Sequence, residues 1–169
     1  MKKWFILLLL PLLVTACGYH LIGRGNYLPA DIRVIRVPMF QNKSFKYGLE
    51  TTMTQAVIER LNAATDLQVV AKGKADAEFS GQIINYSLQV KQEDASGKAS
   101  RYQIVLSMKA KLVRIATNEV IWQDNTIYAY QDLDVSANMG QDREREREAI
   151  QELAEDTAER VVTSLIMNF

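Results

Sequence analysis

From the amino end the chain first shows an apolar run, Trp4 to Val14, and periodic apolar positions begin only near residue 32. In IRVIRVPMF (Ile32 to Phe40), Ile32, Val34, Ile35 and Val37 stand among arginines, which predicts a strand stopped by Pro38. GLETTMTQAVIERLNAATD follows, where Leu49, Met53, Val57, Leu61 and Ala64 recur every three or four residues. That spacing lays one apolar stripe along a helix. Leu67 to Val70 begins a short strand that leads toward a longer one, Ala77 to Lys91. Within the longer one Phe79, Gly81 and Ile83 are followed by Ile84, Tyr86, Leu88 and Val90. The phase slips by one residue, so a bulge or sharp bend is expected near Gly81.

Asp94 to Lys98, DASGK, is turn chemistry, and Arg101 to Arg114 then alternates cleanly with Tyr102, Ile104, Leu106, Met108, Ala110 and Leu112 on one face. ATNE (Ala116 to Glu119) predicts a tight hairpin in which Asn118 takes a positive φ, and Val120 to Gln131 supplies the last strand. The closing segment is a long helix whose inward stripe is Ile150, Leu153, Thr157, Val161, Leu165 and Phe169. Its opening, Asp142 to Glu148, alternates in sign, so opposite charges fall at i,i+3 and like charges at i,i+4. Each such pair is worth a few tenths of a kcal/mol, and the two sets largely offset one another.

The element order β-α-β-β-β-α predicts an α+β fold, two helices packed on one face of a four-stranded mixed sheet. A strand-helix-strand crossover is right-handed in nearly all cases, and both apolar stripes need the same sheet surface. The other sheet face then carries Gln103, Val105, Ser107, Lys109, Lys111 and Val113, with Gln89 and Lys91 beside them. That mixture is polar and somewhat basic, suited to water, a partner's wall or anionic lipid.

The first residues change the picture from fold to location. Lys2 and Lys3 precede the apolar run, which contains Pro11 and is close to half the ~20 residues a membrane-spanning helix needs. A basic start, a short apolar run and small residues before a cut describe an export signal over residues 1–16. Leu13-Val14-Thr15-Ala16-Cys17 also resembles a bacterial lipobox, whose cysteine becomes the first mature residue and carries lipid. The alternative is an ordinary signal peptide with a chance cysteine. One acyl chain holds a protein to a membrane only marginally and two hold it stably, so the three usual at a lipoprotein terminus would make release negligible. Cys17 is the single cysteine, so its acylation leaves no thiol for a disulfide and the exported domain must rely on its core. Residues 17–31, rich in glycine and containing Pro29, are expected to be a lipidated tether, and 32–169 a single α+β domain.

Composition narrows the function classes. Without Lys2 and Lys3, 18 of the 20 basic side chains face 20 acidic ones, a balance unlike that of a nucleic-acid binder. His20 is the one histidine and falls in the tether; with Cys17 acylated, neither a Cys/His pair nor a histidine-rich zinc site can be assembled. Gly23-Arg24-Gly25 lacks the lysine and helix start of a phosphate loop, and Asp132, Asp134 and Asp142 lack the spacing of a calcium loop. No catalytic residue, metal ligand or cofactor site is assigned.

Cys17-Gly18-Tyr19-His20-Leu21, then Gly23-Arg24 and Leu28-Pro29, resembles the mature start of the lipopolysaccharide-assembly lipoproteins, the LptE family. Tyr102-Gln103-Ile104 leading into a long strand, and Ala158-Glu159-Arg160 with Leu165 in the last helix, agree with that resemblance. The resemblance implies the same two-helix, four-stranded fold and a function without catalysis. It implies a place inside the lumen of an outer-membrane β-barrel, LptD, where such proteins help the barrel assemble and help lipopolysaccharide reach the outer leaflet. It also implies a lipid-anchored outer-membrane location, with which Gly18 after the cysteine agrees. Relatives hold lipopolysaccharide through basic residues near the turn between the middle strands, and Lys98 and Arg101 flank that turn here. Lys109 and Lys111 are ligand-binding candidates on their chemistry alone. Two other roles fit the residues: an accessory (pilot or scaffold) lipoprotein of another envelope machine, and a periplasmic hydrolase built on carboxylates.

Cys17→Ala is expected to leave the domain folded while the protein stays uncleaved or mislocalised, because the anchor and not the core is lost. Lipid labelling and membrane fractionation check this, and normal labelling of the variant would contradict the acylation assignment.

Overall fold

The clean alternation of the middle strand organises the molecule, because Ile104, Leu106, Met108, Ala110 and Leu112 all point to one side and are buried there. In the computed structural model, which describes residues 28–29, 31–136 and 138–167, that side is covered by both helices. The elements are β1 (Val34–Arg36), β2 (Gln41–Asn42), α1 (Leu49–Ala64), β3 (Gln68–Val70), β4 (Ala77–Glu93), β5 (Ala99–Arg114), β6 (Glu119–Asp134) and α2 (Met139–Met167). The class is the expected one, α+β with two helices on one face of a mixed sheet.

Among the described residues the sheet has six strands rather than four, in the order β3-β1-β4-β5-β6 with β2 beside β4. Two local causes account for the extra pieces. The expected first strand breaks around Pro38, which has no N–H to give a ladder. Its first part pairs in parallel with both β3 and β4, while Gln41 and Asn42 pair farther along β4 with Gln82 and Ile83. The segment from Leu67 does not run on into β4: Gly73, at φ 104°, reverses the chain, so β3 lies on one side of β1 and β4 on the other. Asp76 fixes this junction, its carboxylate accepting from the N–H groups of Arg33 (2.9 Å) and Val34 (2.8 Å). Those two backbone bonds hold its pKa below the ordinary value.

The phase slip in β4 is real and sits slightly beyond Gly81. The pairing with β5 shifts between Ile83 and Asn85, so Ile84 is the extra residue and turns outward, while Ile83 and Tyr86 both face the helices. Gly81 has a different task. A Cβ there would come within 2.6 Å of the Phe40 ring, so only glycine lets Phe40 lie flat on the strand. Phe40 continues into an aromatic row, its ring 6.1 Å from Phe79, which in turn stacks 6.0 Å from Trp122. Thr54 of α1 ties the row down, its hydroxyl oxygen accepting from the Phe40 N–H at 3.0 Å.

Both helices bury the predicted stripes. In α1 these are Leu49, Met53, Val57 and Leu61, and in α2 Ile150, Leu153, Thr157, Val161 and Leu165, with Phe169 outside the described residues. Ala154, Ala158 and Val162 widen the α2 stripe to meet α1 as well as the sheet. The i,i+3 pairs at the α2 start form, Arg145 with Asp142 and Arg147 with Glu144. Asn118 takes φ 57° in the β5–β6 hairpin, as its position predicts. Among the described residues no helix is long and apolar enough to cross a membrane. Leu28, at the end of the expected tether, is buried in the core.

Gly81→Ala is expected to lower stability by about 1–3 kcal/mol through overpacking against Phe40. Urea unfolding checks this, and adding Phe40→Leu to the variant should recover part of the loss.

Candidate functional site

Among the described residues, the long meander β4-β5-β6 has no helix on its second face, and this face collects most of the residues to which the sequence assigns a binding role. Glu78, Ser80 and Gln82 of β4 stand opposite Val113, Lys111 and Lys109 of β5, and Lys111 stands opposite Gln123 of β6. Lys109 and Lys111 are exposed, alternating with the buried Met108, Ala110 and Leu112. They border a hollow of about 560 Å³ that Met39, Gln41, Gln82 and Asn125 also line. Gln82 closes one side of it by donating to the Gln41 side chain. Among the described residues neither lysine has an ion-pair partner, so both ammonium groups are available to an outside acceptor.

Lys98 and Arg101 lie at the other end of the face and do not join this pair. Lys98 is in the β4–β5 turn, where Asp94 accepts from the backbone N–H groups of Ser96 and Lys98. At about 3.4 Å per residue, β5 places Arg101 roughly 27 Å from Lys109. Arg101 is moreover engaged, its Nε donating to Asp134 at 2.5 Å. Beside it Lys91 donates to both carboxylate oxygens of Asp132 at 2.7 Å, and Gln103 approaches the same group. These bonds lower the pKa values of Asp132 and Asp134 and raise that of Arg101. Pairs so exposed add little stability, but they hold the aspartates in place and neutralise Lys91 and Arg101, leaving Lys98 as the unpaired cation of this end among the described residues. Asp132 and Asp134 are thus counter-ions to Lys91 and Arg101, and no cluster among the described residues has the make-up of a metal site.

One polar arrangement lies on the helix side and has no counterpart among the sequence-based candidates. Tyr86 is buried, and its hydroxyl donates to Glu146 of α2 at 2.7 Å. Lys46, from the loop before α1, reaches the same carboxylate at 2.8 Å and lies 5.8 Å above the Tyr86 ring. Phe45 meets that ring edge-on at 5.9 Å. Burial pushes the Glu146 carboxyl up, but the bonds from Lys46 and Tyr86 and the ammonium charge outweigh it, and its pKa is lowered. Burial, together with Glu146, pushes the Tyr86 hydroxyl up, so it stays a donor. The available signal was Tyr86 itself, a phenol in an otherwise apolar row, since a buried hydroxyl needs a partner. The clamp ties α2 and the loop before α1 to β4 on the side of the sheet opposite the polar face.

Cys17 and His20 lie outside the described residues. The remaining chain from residue 32 to 165 matches the family model for LptE, lipopolysaccharide-assembly. The chain belongs to the LptE family. Solved structures agree with this LptE-family fold at low identity. The hypothetical protein CT253 from Chlamydia trachomatis superposes with a TM-score of 0.56 at 12% identity, over 79% of this chain and 95% of that one. Protein XCC0632 from Xanthomonas campestris gives 0.53 at 10%, over 83% and 91%. A minor lipoprotein from Acinetobacter baumannii gives 0.50 at 10%, over 83% and 95%. No individual curated protein matches the sequence. At such identities the structures share the fold of this LptE-family chain and carry no residue roles across to it.

Glu146→Ala is expected to cost about 1–3 kcal/mol, because the buried Tyr86 hydroxyl loses its acceptor. A carboxyl whose folded pKa lies below its ordinary 4.5 stabilises fully above that pH and loses its contribution as pH falls through the folded value. Thermal melts of the wild type should therefore fall more steeply below pH 4.5 than those of Glu146→Gln.

Proposed function

We infer that this chain is a non-enzymatic outer-membrane lipoprotein that occupies the lumen of an LptD-like β-barrel, helps it assemble and assists lipopolysaccharide transport to the outer leaflet. In this scheme residues 1–16 direct export, Cys17 carries the lipid, residues 17–31 form the tether, whose end packs into the domain at Leu28, and 32–169 form the plug. Membership of the LptE lipopolysaccharide-assembly family carries the inference. The architecture supports it physically. A plug needs a rigid domain and a polar surface matching the interior of a barrel, which alternates polar residues inward. The sheet supplies that surface along β5, and the helices and the Glu146 clamp back it on the other side.

Lys109 and Lys111 are the part of the face that would meet anionic groups, either on the barrel wall or on the phosphates of lipopolysaccharide. Both are charged, exposed and unpaired among the described residues. Lys98, in the turn, is the candidate lipid contact at the far end, while Arg101 would first have to leave Asp134. No arrangement described above brings an acid, a base and a nucleophile together in a buried cleft, and none is required by this role.

Pull-down of the full lipidated chain from detergent-solubilised membranes is expected to recover an LptD-type barrel. Recovery of a secretin or another envelope machine instead would overturn the assignment. Lys109→Glu with Lys111→Glu is expected to reduce recovery of the barrel, or binding of lipopolysaccharide, at least about threefold, as charge reversal at an interface does. Its melting temperature should match the wild type, and an unchanged complex would return both lysines to a purely solvated role.

A further inference from the structure

The sheet ends in a long strand with nothing paired on its outer side among the described residues. Strand β6 is the last in the order β3-β1-β4-β5-β6. The direction of its backbone groups follows from one bond just past its end: the Val135 N–H donates to the Ser100 carbonyl at 3.1 Å. Antiparallel ladders alternate between residues that bond across the pair and residues whose groups point away. Since Ser100 and Val135 bond, Tyr128, Tyr130, Asp132 and Asp134 direct their N–H and C=O groups to the open edge. A second bond agrees, because the Tyr128 carbonyl accepts from the Arg160 side chain of α2 at 3.1 Å, on the side away from β5.

Natural sheets blunt such edges; the backbone of β6 is capped in its first half only, and in its second half Asp132 and Asp134 are charge-neutralised by Lys91 and Arg101. There the pairing with β5 is irregular between Ala110 and Met108, and the Asp124 carboxylate covers the Thr126 N–H at 2.9 Å. From Tyr130 onward no side chain among the described residues caps an edge group. Tyr128 and Tyr130 are both half-exposed and stack on one another at 6.5 Å. Beside the open stretch lies a hollow of about 320 Å³, bounded by Tyr130 and by Leu153, Asp156, Glu159 and Arg160 of α2. An edge strand flanked by a helix across a trough is the geometry in which an extended segment adds as a further strand. The trough also carries a charge. Glu159 is paired with Arg60 and Arg160 with the Tyr128 carbonyl, whereas Asp156 has no partner among the described residues.

We propose that the β6 edge from Tyr130 to Asp134 receives an extended strand of the partner polypeptide, with a basic side chain of that strand facing Asp156. The proposal rests on the barrel as partner, and it adds a restriction. Strands of a closed barrel are paired on both sides, so the added strand must come from a loop or terminal segment of the barrel protein.

Hydrogen exchange on the full lipidated chain in detergent, alone and in complex with the barrel, tests this. The Tyr130 and Asp132 amides should slow by about tenfold or more in the complex. Tyr130→Pro removes an edge N–H without touching the β5 ladder, so it should abolish the slowing at Asp132, while Tyr130→Ala retains it. Undisturbed protection at Ile104 and Leu106 shows that both variants are folded. Asp156→Lys should weaken the complex about tenfold, as reversal of a facing charge does, and unchanged affinity would overturn the basic occupant. A complex that forms without slowing at these amides overturns strand addition and leaves the plug function standing. Slowing in the barrel-free protein that grows with concentration assigns the edge to a second copy and overturns the proposal. Failure to form any complex with the barrel overturns the function together with the edge.

Discussion

Burial of the α2 stripe is the constraint on which the rest of the structure depends. Leu153, Ala154, Ala158, Val162 and Leu165 are all nearly inaccessible, and they contact one sheet face and α1 together. A fully buried leucine or valine gains about 1.5–3 kcal/mol, so this single helix commands a large share of a domain's net stability. It can do so only if β4, β5 and β6 present an unbroken apolar surface, and that demand fixes their register. The polar face is the other side of the same alternation. Every residue that β5 commits to the core assigns its neighbours to the outside, so the outer face and the core are set by one pattern.

Much of the fold was legible for that reason. Local rules decide β5, both helical stripes, the β5–β6 hairpin with its positive-φ Asn118, and the bulge that rephases β4 at Ile84. What escaped was non-local. Strands β1, β2 and β3 are two or three residues long and pair in parallel with segments far along the chain, so no period within them announces a partner. The site divided in the same way. Lys109 and Lys111 were placed correctly on one face because only the strand period matters. Arg101 is neutralised by Asp134, 33 residues on, and Tyr86 meets Glu146 60 residues on, and neither contact can be read from spacing.

The two polar systems differ in kind. On the outer face, Lys91, Arg101, Asp132 and Asp134 pair in water, where exchange with solvent costs little and a partner could replace either member. On the inner face, Tyr86, Glu146 and Lys46 form a closed set around a buried hydroxyl, and removal of one member strands the others. The first arrangement is adaptable and belongs where contacts change; the second is fixed and belongs where they must not. LptE-family membership fits that division, with an exchangeable surface carried on a fixed frame.

The short parallel strand β1 also bears on how the chain reaches its fold. Val34 is held by Asp76, 42 residues later, and Ile35 pairs with residues of both β3 and β4. The meander β4-β5-β6, by contrast, is closed by two hairpins whose partners are neighbours in sequence. Contacts of large sequence separation form slowly, because loop closure comes before any gain. A chain that emerges amino end first exposes Ile32, Ile35 and Val37 before any of their partners exists. The first strand to appear can therefore close its ladder only after β3, and then β4, have followed it.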